Sequence, residues 1–336
     1  MRAYQRWRGW AVAGSAVALV VGGAGSGSAD DGGFTIKDSR IKESSGLAAS
    51  RQHPGIYWTH NDSDDGPYIY AVDSKTGQTV ATVTMKGVGA PRDVEAISIG
   101  PDGDIYVGDI GDNLDGTWDH VWIYRFPEPK QLKDETVQAT QYVVKYADGP
   151  RNAEAMMVQP KTGRVYIASK KEDGGGLYIG PAKLSSSGTN VFRRIDDVGW
   201  VTDGAFSPDG SYLALRGYFS AAEYDWKPAA HGGDGGLGEK HDVDAPWQGQ
   251  AESVTYTADG SALMFGSEGA DSDVVRVGVD HPKDPGNGSK EPSKDGSSSS
   301  ASGGDGKGNS TTVLGVGVLV AVLLGFLGLR RMFRRN

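Results

Sequence analysis

Apolar positions in this chain come in short runs, and nearly every run is closed by Gly, Pro or Asp. In Asp93–Asn113, DVEAISIGPDGDIYVGDIGDN, two interleaved sets, Val94/Ala96/Ser98 and Glu95/Ile97/Ile99, alternate as they do along a β-strand. Gly100–Asp104 makes a turn, and Ile105-Tyr106-Val107 begins a second strand that ends in an acidic, Gly-rich loop. Helical periodicity is scarce in the body of the chain. With 51 Gly, 15 Pro and many Val, Ile and Tyr, the sequence predicts an all-β domain with many turns.

The hairpin recurs. Segments starting at Ser45, Glu95, Glu154, Asp203 and Glu252 each carry a small residue second, and four of the five open on an acid. Each leads through a turn, such as Pro101-Asp102-Gly103 or Pro208-Asp209-Gly210, into a β-rich run such as Ile56-Tyr57-Trp58 or Val165-Tyr166-Ile167. The starts are 50, 59, 49 and 49 residues apart. A period near 50 built from short strands predicts a β-propeller, in which small sheets bury their faces on one another. Third and fourth strands fit at Tyr68–Val72 and Val80–Met85, at Val121–Phe126 and Gln141–Tyr146, and at Leu177–Ile179 and Val191–Ile195. The fourth repeat is irregular past Trp226. The fifth supplies three strands, ending at Val274–Val279, so Phe34–Ile41 is expected to complete it and close the ring. Five blades are favoured; six is the alternative, with strands hidden in the long interval or the irregular fourth repeat.

Charge separates the ends from the body. Residues 1–29 hold three Arg and no acid, and residues 312–336 hold four Arg and no acid. The 27 other basic residues face all 43 acidic ones, a balance of −16, which excludes nucleic acid as a partner and favours cations. Arg2, Arg6 and Arg8 precede the apolar run Ala11–Val21 and the small residues Gly27-Ser28-Ala29, the pattern of a cleaved signal peptide over 1–29. Residues 30–282 are the ectodomain and 283–311 a polar Gly/Ser-rich stalk. Residues 312–329 are an uncharged run long enough for one transmembrane helix, and the Arg-rich tail 330–336 belongs on the cytoplasmic side. The expected product is a single-pass cell-membrane protein with its body outside. The chain has no Cys, so its core must hold the fold without disulfides.

Several words carry a resemblance. Trp58–Ser63 (WTHNDS) and Gly108–Asn113 (GDIGDN) resemble exported bacterial β-propellers of the phytase-like or esterase-like kind, and Phe206–Ala214 (FSPDGSYLA) resembles WD40-like blades. The acids opening the inner strands are distantly similar to those of the calcium-dependent gluconolactonase and regucalcin propellers. That resemblance implies that carboxylates from different blades, here Glu95, Glu154, Asp203 and Glu252, hold one Ca²⁺ in the channel.

Propeller geometry brings the loops after the second strands to the same rim. Asp109, Asp112 and Asn113 add oxygen donors suited to a hard cation. His60, Asn61, Asp62, Lys170, Arg216 and Glu268 are candidate ligand-binding residues. The competing reading is that these acids cap turns, pair with Lys170 and Arg216, or accept backbone N–H bonds. Trp58, Trp122, Trp200 and Trp247 read as packing and Met156-Met157 as core. No GxSxG, HExxH, Walker A or complete EF-hand is present. Two functions fit: an anchored extracellular propeller binding a ligand or protein, with or without Ca²⁺, and a metal-dependent hydrolase of phosphate esters, lactones or esters. Protease added to intact cells is expected to remove the body; protection of the body in sealed cells would overturn this topology.

Overall fold

The computed structural model of the chain describes residues 32–280, apart from 64, 115, 172 and 228–234. The expected signal peptide, stalk, transmembrane helix and Arg-rich tail lie outside the described residues. Every regular element among the described residues is a strand.

The strands form five antiparallel meanders. The first is β2 (Leu47–Ala49), β3 (Ile56–Thr59), β4 (Tyr68–Asp73) and β5 (Thr79–Lys86). The second is β6 (Val94–Ile99), β7 (Asp104–Asp109), β8 (Val121–Pro127) and β10 (Thr140–Tyr146). The third is β11 (Ala153–Val158), β12 (Val165–Ser169), β13 (Gly176–Ile179) and β14 (Thr189–Asp197). The fourth is β15 (Asp203–Phe206), β16 (Tyr212–Arg216), β17 (Ala221–Lys227) and β18 (Gly236–Val243). The fifth is β19 (Ala251–Tyr256), β20 (Ala262–Ser267) and β21 (Asp273–Gly278), completed by β1 (Phe34–Thr35). First strands neighbour one another in the cyclic order β2, β6, β11, β15, β19 and back to β2. This is the β-propeller arrangement.

Alternation explains why the ring forms. Every residue of β3, β11, β12, β13, β19 and β20 is buried, so both faces of a meander need a neighbour. Successive side chains on β11 show the division. Met156 packs in the core shared with the second meander and Met157 in the core shared with the fourth. Five such cores lie between the five neighbouring pairs.

Two features of the outer edge differ from the expectation. Strand β9 (Glu135–Gln138), inside the 59-residue interval, leaves the second meander and pairs in parallel with β5. The long interval thus hides one strand that extends the first sheet. Strands β10 and β14 also pair in parallel, joining the second and third meanders into one eight-stranded sheet, with Asn190 donating to the Val143 carbonyl at 3.0 Å. Each pairing covers a sheet edge that would otherwise be open.

Closure uses less of the N-terminal segment than its sequence suggested. Phe34 and Thr35 pair with Val274 and Asp273, and Ile36 N–H donates to the Ser272 carbonyl at 2.9 Å. Residues 37–41 leave the sheet. Ile36 and Ile41 instead fill the core between the fifth and first meanders, beside Leu47, Tyr57 and Met264. Deleting Phe34–Ile41 removes three buried side chains, each worth about 1.5–3 kcal/mol, and is expected to lower the melting temperature by roughly 10 °C or more. An unchanged melting temperature would show that the ring holds without this segment.

Candidate functional site

Three of the four acids of the repeat sit at β-bulges. On β6 the register runs from Val94↔Asp109 to Ala96↔Gly108, leaving Glu95 as the extra residue. Glu154 occupies the same position between Ala153 and Ala155, and Glu252 between Ala251 and Ser253. A bulge re-aims one side chain without ending the strand. Asp203 has no bulge. It pairs with Arg216 in register, and its Oδ2 accepts the Val254 N–H at 2.8 Å. All four acids are buried.

The four do not meet at one point. Ligand atoms of Asp62, Asp93 and Glu95, all buried, lie within 4.8 Å of one another. Asp62 arrives from the loop after β3, with its N–H donating to the Glu43 carbonyl and its own carbonyl accepting the Val94 N–H. Asp93 is held by Asp109, whose two carboxylate oxygens accept the N–H groups of Asp93 (3.0 Å) and Arg92 (3.1 Å). Tyr124 donates to the same carboxylate at 2.6 Å. The Arg92 guanidinium is sandwiched between the Trp118 and Trp122 rings, 3.9 and 3.8 Å from their centroids. This loop is therefore clamped before Asp93 enters the cluster.

A cation of calcium's kind fits here. Oxygens about 2.3–2.6 Å from a common Ca²⁺ lie no more than roughly 5 Å apart. Gly111 lines the space: a Cβ on it would lie 2.6 Å from Asp93 Oδ2 and 2.8 Å from Glu95 Oε1. Asn113 donates to Asp93 Oδ2 at 3.0 Å, which places its amide beside the cluster.

On the Glu154 side the cation is built in. Lys170 forms an ion pair with Glu154, and its Nζ lies 2.5 Å from the Tyr218 hydroxyl. Burial alone would lower the Lys170 pKa, but Glu154, Glu252 and Glu95 outweigh it and hold the ammonium above its ordinary value. Burial drives the acids the other way. It pushes Glu154 up to about 8 against the pull of Lys170, and raises Glu95, Asp62 and Asp203 well above the usual carboxylate range. Neighbouring carboxylates add to this at Glu95, Asp62 and Glu154.

The remaining residues singled out in the sequence divide by what they touch. Asn61 is consumed in structure: its Oδ1 accepts the Lys42 and Glu43 N–H groups, and its Nδ2 donates to the Arg40 carbonyl and Asp65. Asp112 holds its own loop, accepting from Trp118 N–H at 2.6 Å and from Thr117. Asp109 and Asp112 are thus positioning groups outside the carboxylate cluster. Arg216 is fully buried and spans to the fifth meander, donating to the Ser253 and Gly266 carbonyls and to Gln248. Burial lowers its pKa to about 10, so it stays charged at neutral pH. Glu268 accepts from Ser45 and Gln250 and so ties the fifth meander to the first. His60 is buried, with its pKa pulled down to about 4 by desolvation, and its Nε2 has no hydrogen-bond partner among the described residues.

Sequence reasoning missed Asp93, Glu43 and Tyr218. The first two had a signal. Two residues before the repeated small-polar or acidic position stand Glu43, Asp93, Asn152, Val201 and Gln250, polar in four repeats of five. The tryptophans also divide. Trp58 is buried, with its Nε1 donating to Glu128 at 2.7 Å, and Trp122 packs on Arg92, whereas Trp200 and Trp247 are exposed at the rim.

No family model matches this chain, and no curated protein matches it in sequence. Solved structures that are similar include hydrazine synthase of Kuenenia stuttgartiensis, 14% identical with TM-score 0.41 over 70% of this chain and 72% of that one. The PQQ-bound aldose sugar dehydrogenase of Streptomyces coelicolor is 12% identical with TM-score 0.42, over 72% and 95% of the two chains. An auxiliary nutrient-binding protein of Bacteroides thetaiotaomicron is 11% identical with TM-score 0.40, over 70% and 57%. Likenesses of this size carry no functional assignment.

The raised carboxyls have a consequence for stability. Each binds its proton more tightly in the folded chain than in the unfolded one, so its stabilising effect is complete below the unfolded pKa, about 4–4.5, and is lost as pH rises through the folded value. In EDTA the melting temperature is expected to fall between pH 7 and 8.5, above the range where neutral buried His60 gains stability with rising pH, by at least roughly 2–4 °C, the equivalent of 1 kcal/mol in a domain of this size. Glu154→Gln should flatten that slope. A melting temperature that rises over the same range would contradict the assignment.

Proposed function

We propose that this chain is an exported, membrane-anchored, five-bladed propeller that binds a ligand at its acidic channel mouth, with a divalent cation, Ca²⁺ by its oxygen donors, held by Asp62, Asp93 and Glu95. The observation that carries the reading is the set of three buried, mutually close carboxylates, two of which, Asp93 and Glu95, border the side-chain-free Gly111. Like charges brought this close inside a protein demand protons or a cation. The N-terminal signal pattern, the uncharged C-terminal run and the Arg cluster after it support export and anchoring. Of the sequence-level set Glu95, Glu154, Asp203 and Glu252, this reading uses Glu95; Lys170 engages Glu154, and Asp203 accepts the Val254 amide.

A cation that binds only the folded chain stabilises it by RT ln(1 + [L]/Kd), about 2.7 kcal/mol at a hundredfold excess over Kd. Millimolar Ca²⁺ is expected to raise the melting temperature of the full-length chain by roughly 5 °C or more, with NaCl at matched ionic strength as control. The gain should grow from pH 5.5 to 8, since the ion displaces protons. Glu95→Gln and Gly111→Ala should both blunt it. A Ca²⁺ response equal to the NaCl response, or untouched by Glu95→Gln, would remove the cation. An esterase and phosphatase panel run with Ca²⁺ tests whether the same mouth also hydrolyses.

A further inference from the structure

A row of aromatic rings crosses the rim beside the carboxylates. Trp200 precedes β15, Tyr218 and Phe219 form the turn between β16 and β17, and Trp247 lies between β18 and β19. Trp200 and Tyr218 meet edge to face with centroids 5.3 Å apart, and Tyr218 and Phe219 follow at 6.3 Å. Phe219 and Trp247 are nearly parallel, at 24° and 6.0 Å. Trp247 is 66% exposed, Phe219 55% and Trp200 37%. Scattered exposed apolar residues need no explanation, but three gathered on one ledge do.

The fold holds this ledge in place. Gly217 N–H donates to the Ser220 carbonyl at 2.8 Å, closing the turn that carries Tyr218 and Phe219. A Cβ on Gly217 would lie 2.4 Å from the Trp200 carbonyl oxygen, so the two loops approach closely only because position 217 lacks a side chain. At its inner end the ledge runs into the channel mouth. Lys170 Nζ lies 2.5 Å from the Tyr218 hydroxyl and pairs with Glu154.

We propose that this ledge is a subsite for a neutral oligosaccharide, with sugar faces laid on Trp247, Phe219 and Trp200 and hydroxyls directed to Lys170 and Glu154. Flat apolar ring faces next to a mixed set of donors and acceptors match a ligand that is apolar on its faces and polar at its edges. The charge pattern selects against the alternatives. An organic cation stacked on Tyr218 meets the Lys170 ammonium, which already lies 4.8 Å from that ring. An anion meets Glu252, whose charge acts on both Lys170 and Tyr218. A purely apolar ligand gains nothing from the polar Lys170–Glu154–Tyr218 end of the ledge. The proposal rests on the reading of this rim as the ligand-binding face but does not require the cation.

The test titrates the full-length chain, in a sugar-free detergent, with cellohexaose, maltohexaose, chitohexaose, xylohexaose and laminarihexaose, and separately with choline. Intrinsic tryptophan fluorescence reports binding, because Trp200 and Trp247 lie in the subsite, and calorimetry confirms it. At least one hexasaccharide is expected to saturate. Trp247→Ala and Phe219→Ala should each weaken it at least tenfold with melting temperatures unchanged, because both side chains are exposed. Failure of every hexasaccharide while Ca²⁺ still raises the melting temperature would overturn the subsite and spare the rim. Saccharide binding undiminished in the Trp247→Ala/Phe219→Ala double variant, or saturation by choline in place of the saccharides, would also overturn it. Aromatic-dependent saccharide binding with no Ca²⁺ response would uphold the subsite and remove the cation.

Discussion

Everything in this molecule depends on the fact that no meander can bury both of its faces alone. Strands such as β11 and β20 are buried along their whole length, so each sheet is apolar on two sides. Burying a Leu- or Met-sized side chain is worth about 1.5–3 kcal/mol, and each sheet obtains part of that burial from the next sheet. The arrangement is stable only when the last interface, between the fifth and first meanders, is also filled. With no disulfide in reserve, Ile36, Ile41 and the short β1 pairing carry that closure.

Closing the ring brings five inner strands together at one mouth and concentrates acids there. The bulges at Glu95, Glu154 and Glu252 turn a periodic sequence feature into a shared polar centre. The chain offsets the resulting repulsion in two ways. Lys170 pairs with Glu154 on one side, and on the other burial and neighbouring carboxylates raise the Glu95 and Asp62 pKa values.

The fold was largely legible because period and alternation report backbone geometry directly. The repeat of about 50 residues, the Asp-Gly turns and most strand positions follow from hydrophobic spacing alone. Strand β9 was not legible, since ETVQ is polar and half exposed and owes its conformation to the partner it meets in parallel. The site was legible at the level of the rim and not of the cluster. Sequence spacing placed Glu95 and Asp203 as equivalents, but a one-residue difference in register separates a bulged carboxylate from one bound to a neighbouring amide. Trp58 and Trp247 look alike in sequence, and only the packing around them shows which is core and which is surface.

The pairing of Phe34 with Val274 also sets a kinetic condition. The Thr35 hydroxyl donates to Asp273 across 238 residues of chain, so the first strand synthesised must wait for the last. Contacts of such long sequence separation slow folding and prolong exposure of unpaired edges. Until β21 exists, β19 and β20 form an incomplete sheet and the apolar face of the first meander stays open. The nascent chain therefore passes through a long aggregation-prone interval, and any factor that shields the β2–β5 surface during that time acts on yield rather than on final stability.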